Sequence, residues 1–162
     1  MEQIKIFVEN ISARNREDSI KGAWFNLPVK MDYLSQKLGL EKDDEYIIAD
    51  YEAPFLISEN KSIVQLNTLA QALGEVPKAF ITHMSELIGN FFDDPKELIE
   101  DWKTVTLVPE IGNDKEYGKY LIDTGGYTLP SELENYIDYE AFGRDDRINR
   151  MVVYTDAGAF YK

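Results

Sequence analysis

SIVQLNTLAQALG, residues 62–74, is the longest run of the chain without a charged side chain, at 13 residues. Ile63, Leu66, Ala70 and Leu73 recur in it at spacings of three and four, the period of one helix face. Ser62 and Gln65 have the spacing of a capping box, and Gly74 marks a stop. The sequence before it keeps a different period. In QIKIFVENI (3–11), Ile4, Ile6 and Val8 fall on one side, which predicts a strand. IKGAWFNL (20–27), closed by Pro28, and EYIIADY (45–51), ending before Pro54, read as two more strands. Between them KMDYLSQKL (30–38) reads as a helix with Gly39 as its stop. The change of period therefore separates a small α+β module over 1–61 from a helical module that opens at Ser62.

The helical module extends to residue 103. Pro77 suits the first turn of a second helix, whose Phe80, Met84, Leu87, Ile88 and Phe91 form one stripe. Asp94-Pro95-Lys96-Glu97 joins an N-cap, a first-turn proline and an N3 acid, and Leu98, Ile99 and Trp102 supply the third helix's inner face. From 104 to 162 the pattern is mixed again. A strand over 104–108, a helix over 115–123 stopped by Gly125-Gly126, and a helix over 130–141 are expected. The chain then closes on a hairpin, 151–155 and 159–162 around Asp156-Ala157-Gly158. The predicted fold class is α+β, in three small modules: α+β (1–61), all-helical (62–103) and α+β (104–162).

Composition narrows the function. Of 162 residues, 30 are Asp or Glu and 17 are Lys or Arg, a net charge of −13. Binding nucleic acid requires clustered Lys and Arg to neutralise phosphates, and an anionic membrane surface requires the same, so both are disfavoured. The expected partner is basic. With 44% hydrophobic and 12% aromatic residues, the chain carries too much core-forming sequence for a disordered acidic tail. It has no cysteine, which removes disulfides, thiol nucleophiles and thiolate metal sites. A lone histidine, His83, removes multi-histidine metal sites, and its place beside Phe80 and Met84 points to a satisfied, partly buried ring. Charges in the first ten residues break any signal-peptide stretch, and no run is long enough to span a bilayer, so a cytoplasmic protein is expected.

The remaining chemistry-bearing groups have plainer explanations. Asp43-Asp44, Asp93-Asp94 and Asp145-Asp146 lack the spacing of a calcium loop and read as caps or solvated loops. No phosphate-binding loop, nucleophile elbow or HExxH pair is present. Arg144, Arg147 and Arg150 are interleaved with Asp145 and Asp146, which predicts local ion pairing and not a nucleic-acid patch. The sequons at Asn10 and Asn60 are chance matches for a cytoplasmic chain. No catalytic residue, cofactor site or metal site is predicted.

The acids are more telling. Glu97, Glu100 and Asp101 fall at i, i+3 and i+4 of one expected helix, and Glu134 and Asp138 at i, i+4 of another, flanked by Glu132 and Glu140. Each like-charged pair at such spacing costs about 0.2–0.5 kcal/mol. Divided by predicted module, the net charge is −4, −4 and −5, spread across sequence that also encodes a core. A surface that accepts self-repulsion in every module can imitate another polyanion.

These residues also carry a resemblance. Residues 129–145, LPSELENYIDYEAFGRD, resemble the C-terminal signature of the ArdA antirestriction proteins. Gly22-Ala23-Trp24-Phe25 with Leu27-Pro28 is similar to the motif near the start of that family, and Asp50-Tyr51-Glu52-Ala53-Pro54-Phe55 to a strand-end segment of it. The resemblance implies an elongated, three-domain homodimer that mimics B-form DNA and occupies the DNA groove of type I restriction–modification enzymes, by way of their methyltransferase core. It implies carriage on mobile genetic elements such as conjugative plasmids and transposons. A dimer of net charge −26 matches about 45 Å of bare duplex at one charge per about 1.7 Å.

The carboxylates expected to meet the enzyme's Lys and Arg are Glu97, Glu100, Asp101, Glu132, Glu134, Asp138, Glu140 and Asp145. Leu133, Tyr136, Ile137 and Phe142 have core spacing and are expected to be structural. The strand 104–108 is an exposed-edge candidate for the dimer contact. The chain itself is not expected to bind nucleic acid. Two other readings fit the same composition: an acidic adaptor for one basic protein without duplex mimicry, and an acid-rich hydrolase.

Overall fold

The computed structural model describes residues 4–17 and 19–162; Gln3, where the first strand was expected to begin, lies outside them. The chain divides into two compact units, Met1–Thr82 and His83–Lys162. The boundary falls inside the helical stretch 62–103.

In the first unit, β1 (Lys5–Asn10) is the central strand of an antiparallel sheet, flanked by β2 (Lys21–Asn26) and β3 (Tyr46–Glu52). The alternation in the sequence is realised: Ile6 and Val8 are buried while Lys5, Phe7 and Glu9 take the other face. Pairing with β3 shifts register between Phe7 and Val8. A helix not expected from the sequence, α1 (Ile11–Glu17), follows β1 directly. Its cap is Asn10, which is buried; its Oδ1 accepts the Ala13 N–H at 2.9 Å and its Nδ2 donates to the Leu38 carbonyl at 3.2 Å. That second bond ties β1 to the end of α2 (Met31–Leu38). Gly39 adopts φ 60°, as its expected role as a helix stop requires, and Leu40 N–H closes on the Ser35 carbonyl at 2.9 Å.

The helix read from 62–74 forms as α3 (Ile63–Leu73), with Ile63, Leu66 and Leu73 buried. The expected capping box does not: Ser62 makes no side-chain cap bond. The helix is fixed instead by Asn67, which brackets Val29, accepting its N–H at 2.8 Å and donating to its carbonyl at 2.7 Å. This clamp holds α3 to the strand-to-helix connection of the first unit. The expected second helix is interrupted at His83 (φ −102°, ψ 21°), giving α4 (Lys78–Thr82) in the first unit and α5 (Met84–Leu87) in the second. The stripe residues Phe80, Met84, Leu87 and Phe91 are buried as expected.

In the second unit, α6 (Pro95–Asp101) leads through a 3₁₀ turn, Trp102–Thr104, into β4 (Thr106–Val108). Next come α7 (Asp114–Thr124), α8 (Tyr139–Asn149) and the hairpin β5 (Val152–Thr155)–β6 (Gly158–Tyr161). The antiparallel sheet has the order β4-β6-β5, so β4 occupies an edge as anticipated. Phe160, Ala159 and Tyr117 are fully buried. Gly158 is required at the turn, since it has φ 128° and an added Cβ would overlap the Val108 carbonyl.

The helix expected over 130–141 is a correction. Residues 131–136 form turns ending in a single 3₁₀ turn, Glu134–Tyr136, and the regular helix begins only at Tyr139. Asp138 is its N-cap, accepting the Ala141 N–H at 2.9 Å. Starting there places Asp138 and Glu140 at the positive end of the helix dipole, where a helix over 130–141 would crowd four acids on successive turns. It also brings Gly143 of α8 against Gly118 of α7. An added Cβ at Gly143 would overlap the Asp114 carbonyl, and one at Gly118 the Tyr139 carbonyl. The two helices approach backbone to backbone because neither has a side chain at the crossing.

Candidate functional site

A charged surface is defined as much by where its cations go as by its acids. The second unit spends its arginines internally. Arg147 makes a fork onto Asp114, with Nε at 2.6 Å and Nη2 at 3.1 Å, and Tyr154 donates its hydroxyl to the same carboxylate at 2.9 Å. The Arg147 hydrogen bonds, aided by Tyr154, hold the Asp114 carboxyl below its ordinary pKa. Arg150 lies 3.4 Å from Asp146, which also accepts the Tyr117 hydroxyl at 2.8 Å. Burial, then that hydrogen bond, pushes the Tyr117 phenol upward. Arg144 lies 3.7 Å from Asp145. The expectation of local pairing holds for Arg144 and Arg150, whereas Arg147 reaches past Asp145 and Asp146 to Asp114, 33 positions away.

The acid pairs resolve as structural too. Asp44 accepts Arg16 at 2.8 Å and the Glu41 N–H at 3.1 Å; the Glu41 bond, then that from Arg16, lowers its pKa. Asp94 caps α6 through the Glu97 N–H at 2.9 Å. His83 is buried and satisfied, as its context suggested: Nε2 lies 2.7 Å from Asp156 at the β5–β6 turn and Nδ1 lies 3.4 Å from Glu86.

Against this background the eight expected contact carboxylates separate into two sets. Four are engaged locally. Glu97 accepts the Asp93 N–H at 2.6 Å, Glu100 lies 3.8 Å from Lys96, Asp138 caps α8, and Asp145 faces Arg144. The other four, Asp101, Glu132, Glu134 and Glu140, are exposed and have no cation within ion-pair distance among the described residues. Glu97, Glu100 and Asp101 share α6 as expected. Glu134 and Asp138 do not share a helix, because the first lies in the 3₁₀ turn and the second caps α8.

The apolar residues of 129–145 are a further correction. Tyr136 is 84% exposed, Leu133 49% and Phe142 37%, so these three do not line the core. Their spacing suits a helix that does not form. Phe142 meets Tyr127 edge-on, with ring centroids 5.9 Å apart. What anchors this segment is instead Gly143, together with Asp146 through Tyr117 and Arg147 through Asp114.

By unit, the first has 13 acids and 9 bases, net −4, and the second 17 acids and 8 bases, net −9. The excess is therefore concentrated in residues 83–162. Among the described residues no helix is long and apolar enough to cross a membrane. No curated protein matches the chain. The profile described as antirestriction protein (ArdA) matches residues 6–161, nearly its whole length. The acid-rich, internally paired architecture and that end-to-end match lead to one assignment: the chain belongs to the ArdA antirestriction protein family.

Proposed function

We propose that the protein blocks restriction by imitating B-form DNA and competing for the DNA-binding groove of type I restriction–modification enzymes, through the methyltransferase core. The observation that carries this is the division of labour in the second unit. Arginines close onto interior or neighbouring carboxylates, while Asp101, Glu132, Glu134 and Glu140 remain exposed to meet an outside cation. Such carboxylates steer a basic groove toward the protein and take the places of phosphates, without any chemical step. The protein acts in the cytoplasm as a homodimer, binds no nucleic acid itself, and serves a mobile element entering a restricting cell.

The test is DNA cleavage by a purified type I enzyme with and without the protein. Inhibition that excess duplex relieves supports competitive occupancy; undiminished cleavage refutes it. An acidic adaptor without mimicry would bind a basic protein that duplex DNA does not displace.

A further inference from the structure

The sheet of the first unit covers its core with one face only, and register defines the other. Phe7 lies opposite Trp24 on one side and Asp50 on the other; Lys5 lies opposite Glu52, and Glu9 opposite Gly22. The Phe7 and Trp24 rings are 5.5 Å apart and tilted by 53°. Gly22 makes room for them, since an added Cβ there would stand 2.7 Å from the Phe7 ring. Trp24 is nonetheless 47% exposed. A half-exposed indole packed on a second ring is the kind of residue that anchors protein contacts. On the same face Glu9 sits diagonal to it on β1, and Asp50 and Glu52 lie on β3 beyond Phe7, with one cation, Lys5, which Glu52 already holds at 2.8 Å. The face is thus an electron-rich ring with a net negative rim.

We infer that this face is a receptor for an arginine side chain of a basic protein partner, its guanidinium stacked on the Trp24 indole and its N–H groups directed to Asp50 and the neighbouring carboxylates. Arginine fits better than lysine, because a planar, weakly hydrated guanidinium stacks on an indole and still offers donors at its edge. A second copy of the chain fits poorly: a two-fold contact would set Asp50, Glu52 and Glu9 against themselves. A nucleic acid base could stack there, but its phosphates would meet the same acids. The partner's identity as a restriction–modification enzyme rests on the proposed function; the arginine site does not.

The experiment uses the full chain labelled with ¹⁵N and a hexa-arginine peptide as probe, with hexalysine as control. The Trp24 indole signal, assigned from Trp24→Phe, is expected to shift with hexa-arginine at a several-fold lower concentration than with hexalysine. Trp24→Ala is expected to weaken binding about tenfold, the scale of one desolvated cation–π contact, and Trp24→Phe less. Asp50→Asn, at an exposed position that leaves both rings in place, is expected to weaken it about threefold. The same order is expected in affinity for a type I methyltransferase core. Equal response to the two peptides, or Trp24→Ala and Asp50→Asn both within twofold of wild type, overturns the inference. Conversion of a dimer to a monomer by Trp24→Ala, read by light scattering, also overturns it in favour of a self-contact. If the wild type fails to bind the methyltransferase while the hexa-arginine response persists, the proposed function falls and the site stands.

Discussion

The two units are nearly equal in length and unequal in charge. Residues 1–82 carry net −4 and residues 83–162 net −9, although both build a three-stranded antiparallel sheet with helices. The first unit keeps its polar groups for joining elements: Asn10, Asn67 and the Asp44–Arg16 pair each tie one segment to another. The second joins its elements through a few dense contacts, the glycine crossing of α7 and α8 and the Asp114–Arg147–Tyr154 cluster. This leaves Asp101, Glu132, Glu134 and Glu140 exposed with no cation beside them among the described residues. Concentrating structural work in a few residues is how a small unit can carry a self-repelling surface and still fold.

The largest expected effect follows from that concentration. Gly118→Val or Gly143→Val forces side-chain atoms into a backbone of the facing helix and should cost more than about 3 kcal/mol, unfolding the second unit at temperatures where wild type is intact. Calorimetry with an NMR check on the Trp24 and Trp102 signals would read it. Survival of the second unit with an unchanged melting temperature would show that the crossing is not what holds it.

The next effect compares the units as surfaces. Neutralising Glu132, Glu134, Asp138 and Glu140 together, with Gln or Asn, should weaken inhibition of a type I enzyme by an order of magnitude or more, mostly by slowing association. Asparagine caps a helix about as well as aspartate, so Asp138→Asn retains the α8 cap and the fold. Four equivalent changes in the first unit, at Asp43, Glu45, Asp50 and Glu59, should do less. Equal losses would mean that net charge alone matters and its placement does not.

A smaller effect is expected in acid. The native Asp114 carboxyl is held below its ordinary value by Arg147, so it binds its proton less readily folded than unfolded. Its contribution to stability is therefore full above about pH 4, the unfolded value, and is lost as pH falls through the lower native one. Asp114→Asn should be less stable than wild type at neutral pH and lose less on acidification, measured as urea midpoints at pH 7 and pH 3. A constant gap between the two proteins at both pH values would contradict this.

Single neutralisations should matter least. Exposed ion pairs are typically worth about 0–1 kcal/mol, so Glu134→Gln alone should leave inhibition within a few-fold of wild type. Abolition by one such change would point to a carboxylate with a singular role.

Much of the fold was legible where local rules act alone. Alternation marked β1, strand-forming runs closed by Pro28 and Pro54 marked β2 and β3, the Asp94-Pro95 pair marked α6, and Gly39 and Gly158 marked their turns. Helix α1 was missed because Asn10 reads as the last polar residue of a strand, yet its side chain is the cap that turns the chain. The helix over 130–141 was misplaced because its spacing is helical while its acids favour a later start, and the packing partner that fixes that start, Gly118, lies across the unit. The exposure of Leu133, Tyr136 and Phe142 follows from the same misplacement. At the acidic surface, residue type and spacing singled out eight candidate carboxylates, but which of them have local partners depends on where caps and cations fall in the fold, as Asp138 capping α8 and Arg144 beside Asp145 show.

The central claim is that this surface stands in for DNA, and competition tests it most directly. The affinity of the protein for a type I methyltransferase core should be measured against increasing concentrations of a non-specific duplex. Mimicry predicts an apparent Kd that rises in proportion to duplex concentration, with no ternary complex. An apparent Kd unaffected by duplex, with protein and DNA bound to the enzyme together, would contradict it.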